Sequence, residues 1–262
     1  MQIVDLTAEH ECAFLQCLEE WSADMAEAGH QRRLWYDEMK HKGLRVKLAF
    51  ADNGGLGGFI QYLPMEHSIL EGGDGYFIYC IWVHGHKQGR GNLQKKGLGT
   101  ALLKAAEQDI IALKGAGVAA WGLMLPFWMK ASWFVKHGYR KVDRDGIAVL
   151  VYKAFLDNAK PPRWRKPQRK PEKGTDKVKI SLFNHGWCAA QNISYERIKR
   201  ICGDLSDRIL LEEYNTRDRE VLSDWGISDA IYVDGKLLNT GPPPSYDKLR
   251  RIVLRQIKRR RI

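Results

Sequence analysis

The chain has 262 residues, of which 44% are hydrophobic and 28% charged, and its formal net charge is +11. This composition is typical of a globular protein and excludes the disordered, collagenous and low-complexity classes. Because domains usually contain about 100–200 residues, the length favours two domains.

The sequence also limits the cellular setting. No run reaches the roughly 18–20 consecutive apolar residues of a membrane-spanning helix. The first residues, MQIVDLTAEHECAF, lack the basic and then apolar pattern of a signal peptide. The five cysteines form no CxxC pair and no cluster with zinc-ligand spacing. We therefore expect a cytoplasmic protein with reduced thiols, without a metal site and without membrane association.

Hydrophobic periodicity predicts the elements of the first half of the chain. In chain order we expect a strand at Gln2–Asp5, helices at Ala8–Ala28 and Arg32–Lys42, strands at Val46–Ala51, Gly58–Leu63 and Tyr76–Val83, a helix at Gly99–Leu113, a strand at Val118–Leu123, a helix at Lys130–Lys136, and strands near Tyr139–Val142 and Ala148–Ala154. The first helix is predicted from the spacing of Phe14, Leu18, Trp21 and Met25 on one face. This order, βααβββαβαββ, indicates an α+β domain.

A basic, proline-rich segment follows. Lys160–Lys177 contains four prolines and almost no aliphatic residues. The slightly longer stretch Lys160–Lys179 holds nine Lys and Arg residues against Glu172 and Asp176. A segment of this composition cannot bury apolar surface. We interpret residues 159–177 as an extended linker between a domain at 1–158 and a second domain at 178–262.

The second domain has its own pattern of elements. We expect a strand at Val178–Asn184, a helix including Ser194–Cys202, a strand at Arg208–Tyr214, a helix at Asp218–Trp225, a hairpin of Ala230–Val233 and Lys236–Asn239, and a helix at Tyr246–Lys258. The order is βαβαββα.

Glycines cluster between the strand Tyr76–Val83 and the helix that follows it. Glycine lets the backbone approach an anion closely, and a helix N-terminus offers free N–H donors and partial positive charge. Gly97 and Gly99 lead directly into the helical residues after Thr100, whereas Gly89 and Gly91 are followed by Asn-Leu-Gln. The sequence therefore predicts an anion site at the Gly97 turn.

The run Gln94-Lys95-Lys96-Gly97-Leu98-Gly99 resembles the Q/R-x-x-G-x-G/A pyrophosphate motif of GNAT acetyltransferases. Ala131–Tyr139 is similar to the later helix of that family, which ends in Gly-Phe. No Gly-Lys-Ser/Thr follows, as a P-loop requires, and the preceding strands form a meander and not the βαβ unit of a Rossmann fold. The resemblance implies a GNAT-like mixed sheet flanked by helices, binding acetyl-CoA or coenzyme A through Ile81, Trp82, Val83, Gln94, Lys95, Lys96, Gly97, Leu98, Gly99 and Thr100.

The resemblance also implies a reaction, the transfer of an acetyl group to a primary amine of a small molecule or peptide. In the family the strand corresponding to Tyr76–Val83 splays from its neighbour, and a backbone N–H near Ile81 would polarise the thioester carbonyl. The tyrosine that the family often uses as the acid is Phe134 here. For the base we single out Glu66 and Tyr79, with solvated or packing roles as the alternatives. Aromatic residues of this half, Trp82, Trp121, Trp128 and Trp133, form either a core or a wall for a flat or cationic substrate.

The second domain resembles a minimal thioredoxin or glutaredoxin fold. Gly186-Trp187-Cys188-Ala189-Ala190-Gln191 is similar to the redox turn Trp-Cys-x-x-Cys, with Gln191 in place of the second cysteine. The usual proline before the hairpin is replaced within Gly226–Ile231. The combination resembles YoaP-type acetyltransferases and leaves Cys188 either as a reactive thiol or as an inert remnant in a binding module.

Two other functions compete with acetyl transfer. One is a nucleic-acid-binding adaptor that uses the basic linker and the tail Lys248–Arg261, although no base-stacking signature is present. The other is a monothiol redox or binding module at Cys188. The oligomeric state is not predicted by any pattern in the chain.

Overall fold

The chain forms two compact units. The computed structural model describes residues 1–125, 129–238 and 241–260. Unit 1 comprises Met1–Glu20 and Tyr36–Arg165, and unit 2 comprises Trp21–Trp35 and Lys166–Ile262. The division after Arg165 falls inside the predicted linker, and the segment Trp21–Trp35 folds with unit 2. No helix in the described ranges is long and apolar enough to cross a membrane.

Unit 1 is built mainly of strands. Numbered along the chain, its strands are β1 (Gln2–Asp5), β2 (Arg45–Phe50), β3 (Leu56–Pro64), β4 (Leu70–Glu71), β5 (Tyr76–Val83), β6 (Gly117–Leu123), β7 (Arg140–Asp145), β8 (Ala148–Ala154) and β9 (Arg163–Trp164). Its helices are α1 (Glu11–Leu15), the end of α3 (Gln31–Met39), α4 (Leu98–Ala112) and α5 (Ala131–Lys136), and short 3-10 turns occur at Ala8–His10, Lys40–Lys42 and Met65–His67. These positions confirm the predicted elements after residue 30 to within a few residues.

The predicted helix Ala8–Ala28 is wrong. The structure has a 3-10 turn, the short helix α1, and then α2 (Ala23–Ala26) in its place. Cys17 and Leu18 have φ angles of 53° and 61°, a left-handed conformation that ends a right-handed helix. Phe14 is buried in unit 1 and Met25 in unit 2. The apolar spacing therefore reflects two cores and not one helical face.

Seven strands of unit 1 form one sheet, in the order β1-β2-β3-β5-β6-β8-β7. All neighbours are antiparallel except β5 and β6, which are parallel. This parallel pair is connected through α4, whose apolar residues Leu98, Leu102, Leu103, Ala106 and Ile110 pack on the sheet. The arrangement agrees with the mixed, helix-flanked sheet that the resemblance implies.

Polar contacts fix the last turn of α4 on the sheet. Asp109 accepts hydrogen bonds from Arg45 at 2.7 and 2.8 Å and from the Tyr62 hydroxyl at 2.5 Å. Such a two-point guanidinium–carboxylate pair is stronger and more directional than a single hydrogen bond. Because one end of α4 is held in this way, its N-terminus has a defined position relative to β5.

Unit 2 contains a smaller sheet. Its elements are α2, the start of α3, β10 (Val178–Asn184), α6 (Ala189–Asp204), β11 (Ile209–Asn215), α7 (Arg219–Trp225), β12 (Ala230–Val233), β13 (Lys236–Leu237) and α8 (Tyr246–Lys258). The strand order is β11-β10-β12-β13, with β10 and β11 parallel and the other pairs antiparallel. The predicted order βαβαββα from residue 178 is confirmed, except that Asn239 of the predicted hairpin lies outside the described residues.

The segment Trp21–Trp35 is held in unit 2 by a buried arginine. Arg197 of α6 has only 4% of its side chain exposed, and it binds Asp24 at 2.5 Å and Glu27 at 2.7 Å. It also donates to the carbonyl of Pro244 at 2.9 Å. A buried guanidinium is stable only when its donors are satisfied in this way. The segment is therefore a structural part of unit 2.

Candidate functional site

The two parallel strands of unit 1 form a fork. β5 and β6 pair only at Tyr76 with Val118 and at Phe77 with Ala119. On its other edge, β5 stays paired with β3 as far as Val83. Beyond Phe77 no further ladder pair joins β5 to β6 among the described residues, so this edge of β5 is where an extended ligand could add as a strand through main-chain hydrogen bonds.

A β-bulge marks the point where the fork opens. Gln61 of β3 pairs with Cys80 and the next residue, Tyr62, pairs with Ile78, so that Tyr79 is the additional residue. A bulge bends its strand and increases the local twist. The indole nitrogen of Trp121 on β6 donates a 2.8 Å hydrogen bond to the Tyr79 carbonyl. The bulge and this bond together define the inner end of the fork, and Ile81, Trp82 and Val83 extend beyond it.

The predicted anion site lies at the N-terminus of α4. Gly97 caps the helix with φ 86° and ψ −8°, a left-handed conformation that glycine adopts without strain. The first helical hydrogen bond runs from Ala101 N–H to the Gly97 carbonyl at 3.0 Å. The preceding N–H groups of Leu98, Gly99 and Thr100 thus have no acceptor within the helix. The first turn has no acidic residue, and Lys95 and Lys96 are exposed beside it.

This helix end is close to the open end of the fork. The Gln94 side-chain amide donates to the carbonyl of Val83, the last residue of β5, at 3.4 Å. A Cβ atom at Gly99 would lie 3.8 Å from the Val83 side chain and 3.7 Å from the Trp133 ring. The structure therefore brings together all ten residues predicted to bind the cofactor: three at the end of β5 and seven at the turn into α4.

Trp133 of α5 forms one wall beside Gly99. Its ring packs on His137 with centroids 4.2 Å apart. The His137 Nε2 atom is 3.2 Å from the Thr100 hydroxyl, and its Nδ1 atom is 2.8 Å from the Trp133 carbonyl. Sequence reasoning missed His137, and the available signal was its position four residues after Trp133, on the same side of a helix.

The loop before the motif is folded against the rest of unit 1. His84 is fully buried, and its Nδ1 atom is 2.8 Å from the Gly91 carbonyl. His86 lies 3.2 Å from the Glu19 carboxylate, and Arg90 pairs with Glu20. These contacts attach residues 84–93 to the segment that follows α1.

The two predicted bases are in different surroundings. Glu66 has 78% of its side chain exposed and follows Pro64, which pairs with Tyr76 at the first residue of β5. It therefore lies at the end of β5 away from the fork opening. Tyr79 lies at the bulge, but its side chain is fully buried and packs on Phe77 with ring centroids 4.8 Å apart. The base thus stays a prediction.

Phe134, at the position where the resemblance expects an acid, lies among aromatic rings. Phe134 is 4% exposed and packs between Trp133 and Tyr139, at centroid distances of 5.0 and 5.4 Å. Burial raises the pKa of Tyr139 well above its usual value, with the Glu107 carboxylate adding to the effect.

The predicted aromatic residues Trp82, Trp121 and Trp133 lie on β5, β6 and α5 around the fork, and Trp128 lies outside the described residues.

In unit 2, Cys188 is the residue before α6 and is partly exposed. The turn that leads to it is supported by Asn192, which accepts from Asn184 at 3.0 Å and donates to the Gly186 carbonyl at 3.0 Å. Asp229 accepts from the His185 backbone N–H at 3.1 Å. Burial raises the pKa of Asp229 to about 6 in spite of the hydrogen bonds that it accepts, that from His185 foremost. Within the described ranges no cluster of three His, Cys, Asp or Glu residues could hold a metal ion.

Unit 1 therefore has the features of a mixed sheet with a forked parallel pair and a glycine-capped helix beside the fork. Solved structures with a distant similarity include the aminoglycoside 6'-acetyltransferase type Ii (17% identity, 60% of this chain, 99% of that chain, TM-score 0.44). A second is the PaiA N-acetyltransferase from Thermoplasma acidophilum in complex with coenzyme A (17% identity, 59% of this chain, 100% of that chain, TM-score 0.44). A third is the ribosomal-protein-alanine N-acetyltransferase from Brucella melitensis (14% identity, 59% of this chain, 100% of that chain, TM-score 0.42). No protein-family model matches the chain, and no curated protein matches its sequence.

Proposed function

We propose that unit 1 is an acetyl-CoA-dependent N-acetyltransferase of the GNAT type, acting on a primary amine of a small molecule or peptide. The observation that carries the proposal is the placement of the α4 N-terminus at the open end of the β5–β6 fork, with Gln94 bonded to Val83. Acetyl-CoA carries amide groups in its pantetheine arm and a diphosphate next to that arm. A strand edge and an adjacent anion site are the two surfaces that would bind these parts.

The residues present fit this ligand in two respects. The free N–H groups of Leu98, Gly99 and Thr100 point along the helix axis and suit a diphosphate, and Lys95 and Lys96 add full positive charges. The edge of β5 from Ile81 onward, which has no strand partner on the β6 side among the described residues, suits the amide groups of pantetheine, which can bind as an additional strand does. Bound acetyl-CoA would supply the thioester.

The chain's own groups support three parts of the reaction. The backbone near Ile81 would hold the thioester carbonyl and stabilise negative charge on its oxygen as the amine attacks. The fork would hold the thioester in a fixed orientation toward the amine, so that the reaction between them becomes effectively unimolecular. A thiol with a pKa near 8.5 can leave as the thiolate without an acid, so that Phe134 is compatible with turnover. Because Glu66 lies at the far end of β5, we do not include it in the mechanism.

The test is a calorimetric titration of the protein with acetyl-CoA. Gly97→Trp should abolish binding, because a large side chain would fill the space in front of the α4 N-terminus. Gly54→Trp is the matched control, since Gly54 also has positive φ, at 77°, and nothing lies within 4 Å of its added Cβ. Binding lost in Gly97→Trp alone supports the proposal, and a screen of amines for thiol release follows. Absence of binding by the unaltered protein contradicts it.

We propose further that unit 2 is a thioredoxin-like domain of the YoaP type. The element order βαβαββα and the strand order β11-β10-β12-β13 with a parallel β10–β11 pair support this. Cys188 is the residue directly before α6, the position that the first cysteine of the redox turn has in the resemblance. Incubation with oxidised glutathione, followed by mass analysis of the wild type and of Cys188→Ser, tests its reactivity. A glutathionyl adduct absent only from Cys188→Ser would support a monothiol role, and an unmodified Cys188 would leave unit 2 a binding module.

A further inference from the structure

The outer face of α8 carries an unbroken row of positive charge. Five residues of this helix and its cap are exposed cations: Lys248, Arg251, Arg255, Lys258 and Arg259, here named the α8 stripe. At 3.6 residues per turn they fall within about 100° of arc and extend over about 16 Å. No ion pair involves any of the five among the described residues. The stripe is therefore available to an external anion.

The opposite face of α8 is packed in the core of unit 2. Leu249, Val253 and Ile257 are at most 5% exposed. An amphipathic helix that binds a bilayer must insert its apolar face, but here that face is already buried. The stripe itself contains no aromatic residue that could stack on an unpaired base. These two facts exclude membrane insertion and base stacking as the means by which this face would bind.

Helix stability accounts for only part of the stripe. Cations in the last turn, Arg255 and Lys258, interact favourably with the partial negative charge of the helix C-terminus. Asp247 supplies the acidic residue that the first turn favours, whereas Lys248 in the same turn is unfavourable there. The helix dipole thus does not account for Lys248, and it does not reach Arg251 in the next turn.

A buried carboxylate joins the linker to the C-terminal end of α8. Asp234, which is 5% exposed, binds Arg260 at 2.7 and 2.9 Å and accepts from the Gly174 N–H at 3.3 Å. Arg260 in turn donates to the Gly174 carbonyl at 2.6 Å. The exposed residues before Gly174, Glu172 and Lys173, are of opposite charge, so the linker adds no net charge beside the C-terminal end of α8. Arg260, which the sequence groups with the free basic tail, is instead the residue that joins the linker to the helix.

We propose that the α8 stripe binds the phosphate backbone of duplex DNA without sequence specificity. A duplex presents its phosphates outward and keeps its bases stacked, which suits a surface with cations and no stacking residues. The length of the stripe, about 16 Å, exceeds the roughly 12 Å width of the B-form major groove, so that a helix lying across the groove reaches phosphates of both strands. This surface consists of residues of unit 2, whereas the proposed acetyl-CoA site consists of residues of unit 1.

The experiment measures binding of a short labelled DNA duplex by fluorescence anisotropy over a range of salt concentrations. With five phosphate contacts, affinity should fall about 500-fold between about 50 and 200 mM salt, because each contact contributes a slope of roughly 0.9. In the double variant Arg251→Gln, Arg255→Gln, which keeps three contacts, the affinity should fall only about 40-fold over the same range of salt concentration. The matched control removes two exposed lysines of unit 1, Lys114→Gln and Lys141→Gln, and should leave the slope unchanged.

Four outcomes would overturn the proposal. They are no binding to duplex DNA at low salt, equal slopes for the stripe variant and the control, binding to vesicles of anionic phospholipid in place of DNA, and tighter binding to duplex RNA than to duplex DNA. Acetyl-CoA titration of the stripe variant should give the affinity of the wild type. If the stripe variant unfolds at the same temperature as the wild type, its exposed substitutions have preserved the fold.

Discussion

The indole nitrogen of Trp121 donates its hydrogen bond, 2.8 Å long, across the β5–β6 fork to the carbonyl of Tyr79. Tyr79 is the bulged residue of β5, and its carbonyl lies beyond the last pairing of β5 with β6. A tryptophan side chain therefore takes the place of a strand partner at the inner end of the fork. This bond links β6 to β5 where their backbone pairing has ended.

Trp121→Phe should weaken both the fold and the cofactor site. The phenyl ring retains most of the packing but leaves the Tyr79 carbonyl without its donor, which costs about 1–3 kcal/mol in the free energy of unfolding. Acetyl-CoA affinity should fall as well. Chemical denaturation and calorimetry measure the two effects. Trp82→Phe is the control for stability alone, because the Trp82 indole nitrogen is buried without a hydrogen-bond partner among the described residues. Equal stability of the two variants would contradict the role given to Trp121.

Substitutions at Gly99 should separate folding from binding. An added Cβ would make only ordinary contacts, at 3.7 Å to Trp133 and 3.8 Å to Val83. Gly99→Ala should therefore fold, gain up to about 1 kcal/mol of helix stability, and still bind acetyl-CoA. Gly99→Leu should fold but lose binding, because its side chain would fill the gap between Trp133 and Val83. Retained affinity in Gly99→Leu, measured by calorimetry, would place the ligand elsewhere.

Asp109→Asn should lower stability in a pH-dependent manner. Burial opposes ionisation of Asp109, but hydrogen bonds from Arg45 and Tyr62 lower its pKa below the usual value. A lowered carboxylate pKa contributes stability above the unfolded-state pKa of about 3.9, and this contribution is lost as the pH falls through the folded-state value. We expect a loss of about 1–3 kcal/mol at pH 7 that disappears in acid, measured by urea unfolding. Asp145→Asn, at an exposed position, should have no such effect.

Asp229→Asn should have the opposite pH dependence. With a folded-state pKa of about 6, Asp229 keeps a proton in the folded protein that the unfolded chain releases near pH 4. The free energy of unfolding of the wild type should therefore fall, relative to that of the variant, by about 1.4 kcal/mol per pH unit between about pH 4 and 6. Thermal unfolding of both proteins across this range measures the difference. Parallel curves would show that Asp229 does not titrate in this way.

The sequence predicts local features of this protein better than long-range ones. The Gly97 turn and the α4 helix follow from glycine placement and periodicity, whereas the closeness of Val83 to this turn depends on how the long connection of residues 84–96 folds. The break at Cys17 and Leu18 has no glycine or proline to signal it, so periodicity alone continues the helix. The Trp121–Tyr79 bond depends on a bulge whose register only the sheet determines. The pairing of Arg197 with Asp24 joins residues more than 170 positions apart, and no local pattern indicates it.

The course of the backbone has a consequence for how the chain can be divided. It passes between the units three times, after Glu20, after Trp35 and after Arg165. A protease cut at Arg165 would release no independent half, because the N-terminal piece retains Met25 and Ala28, which are buried in unit 2. In size-exclusion chromatography the two pieces should elute together until denaturant is added. For the same reason, unit 2 is not an appendage that recombination could join to the end of unit 1 or remove in one event, since either change would leave exposed the apolar surface that α2 covers.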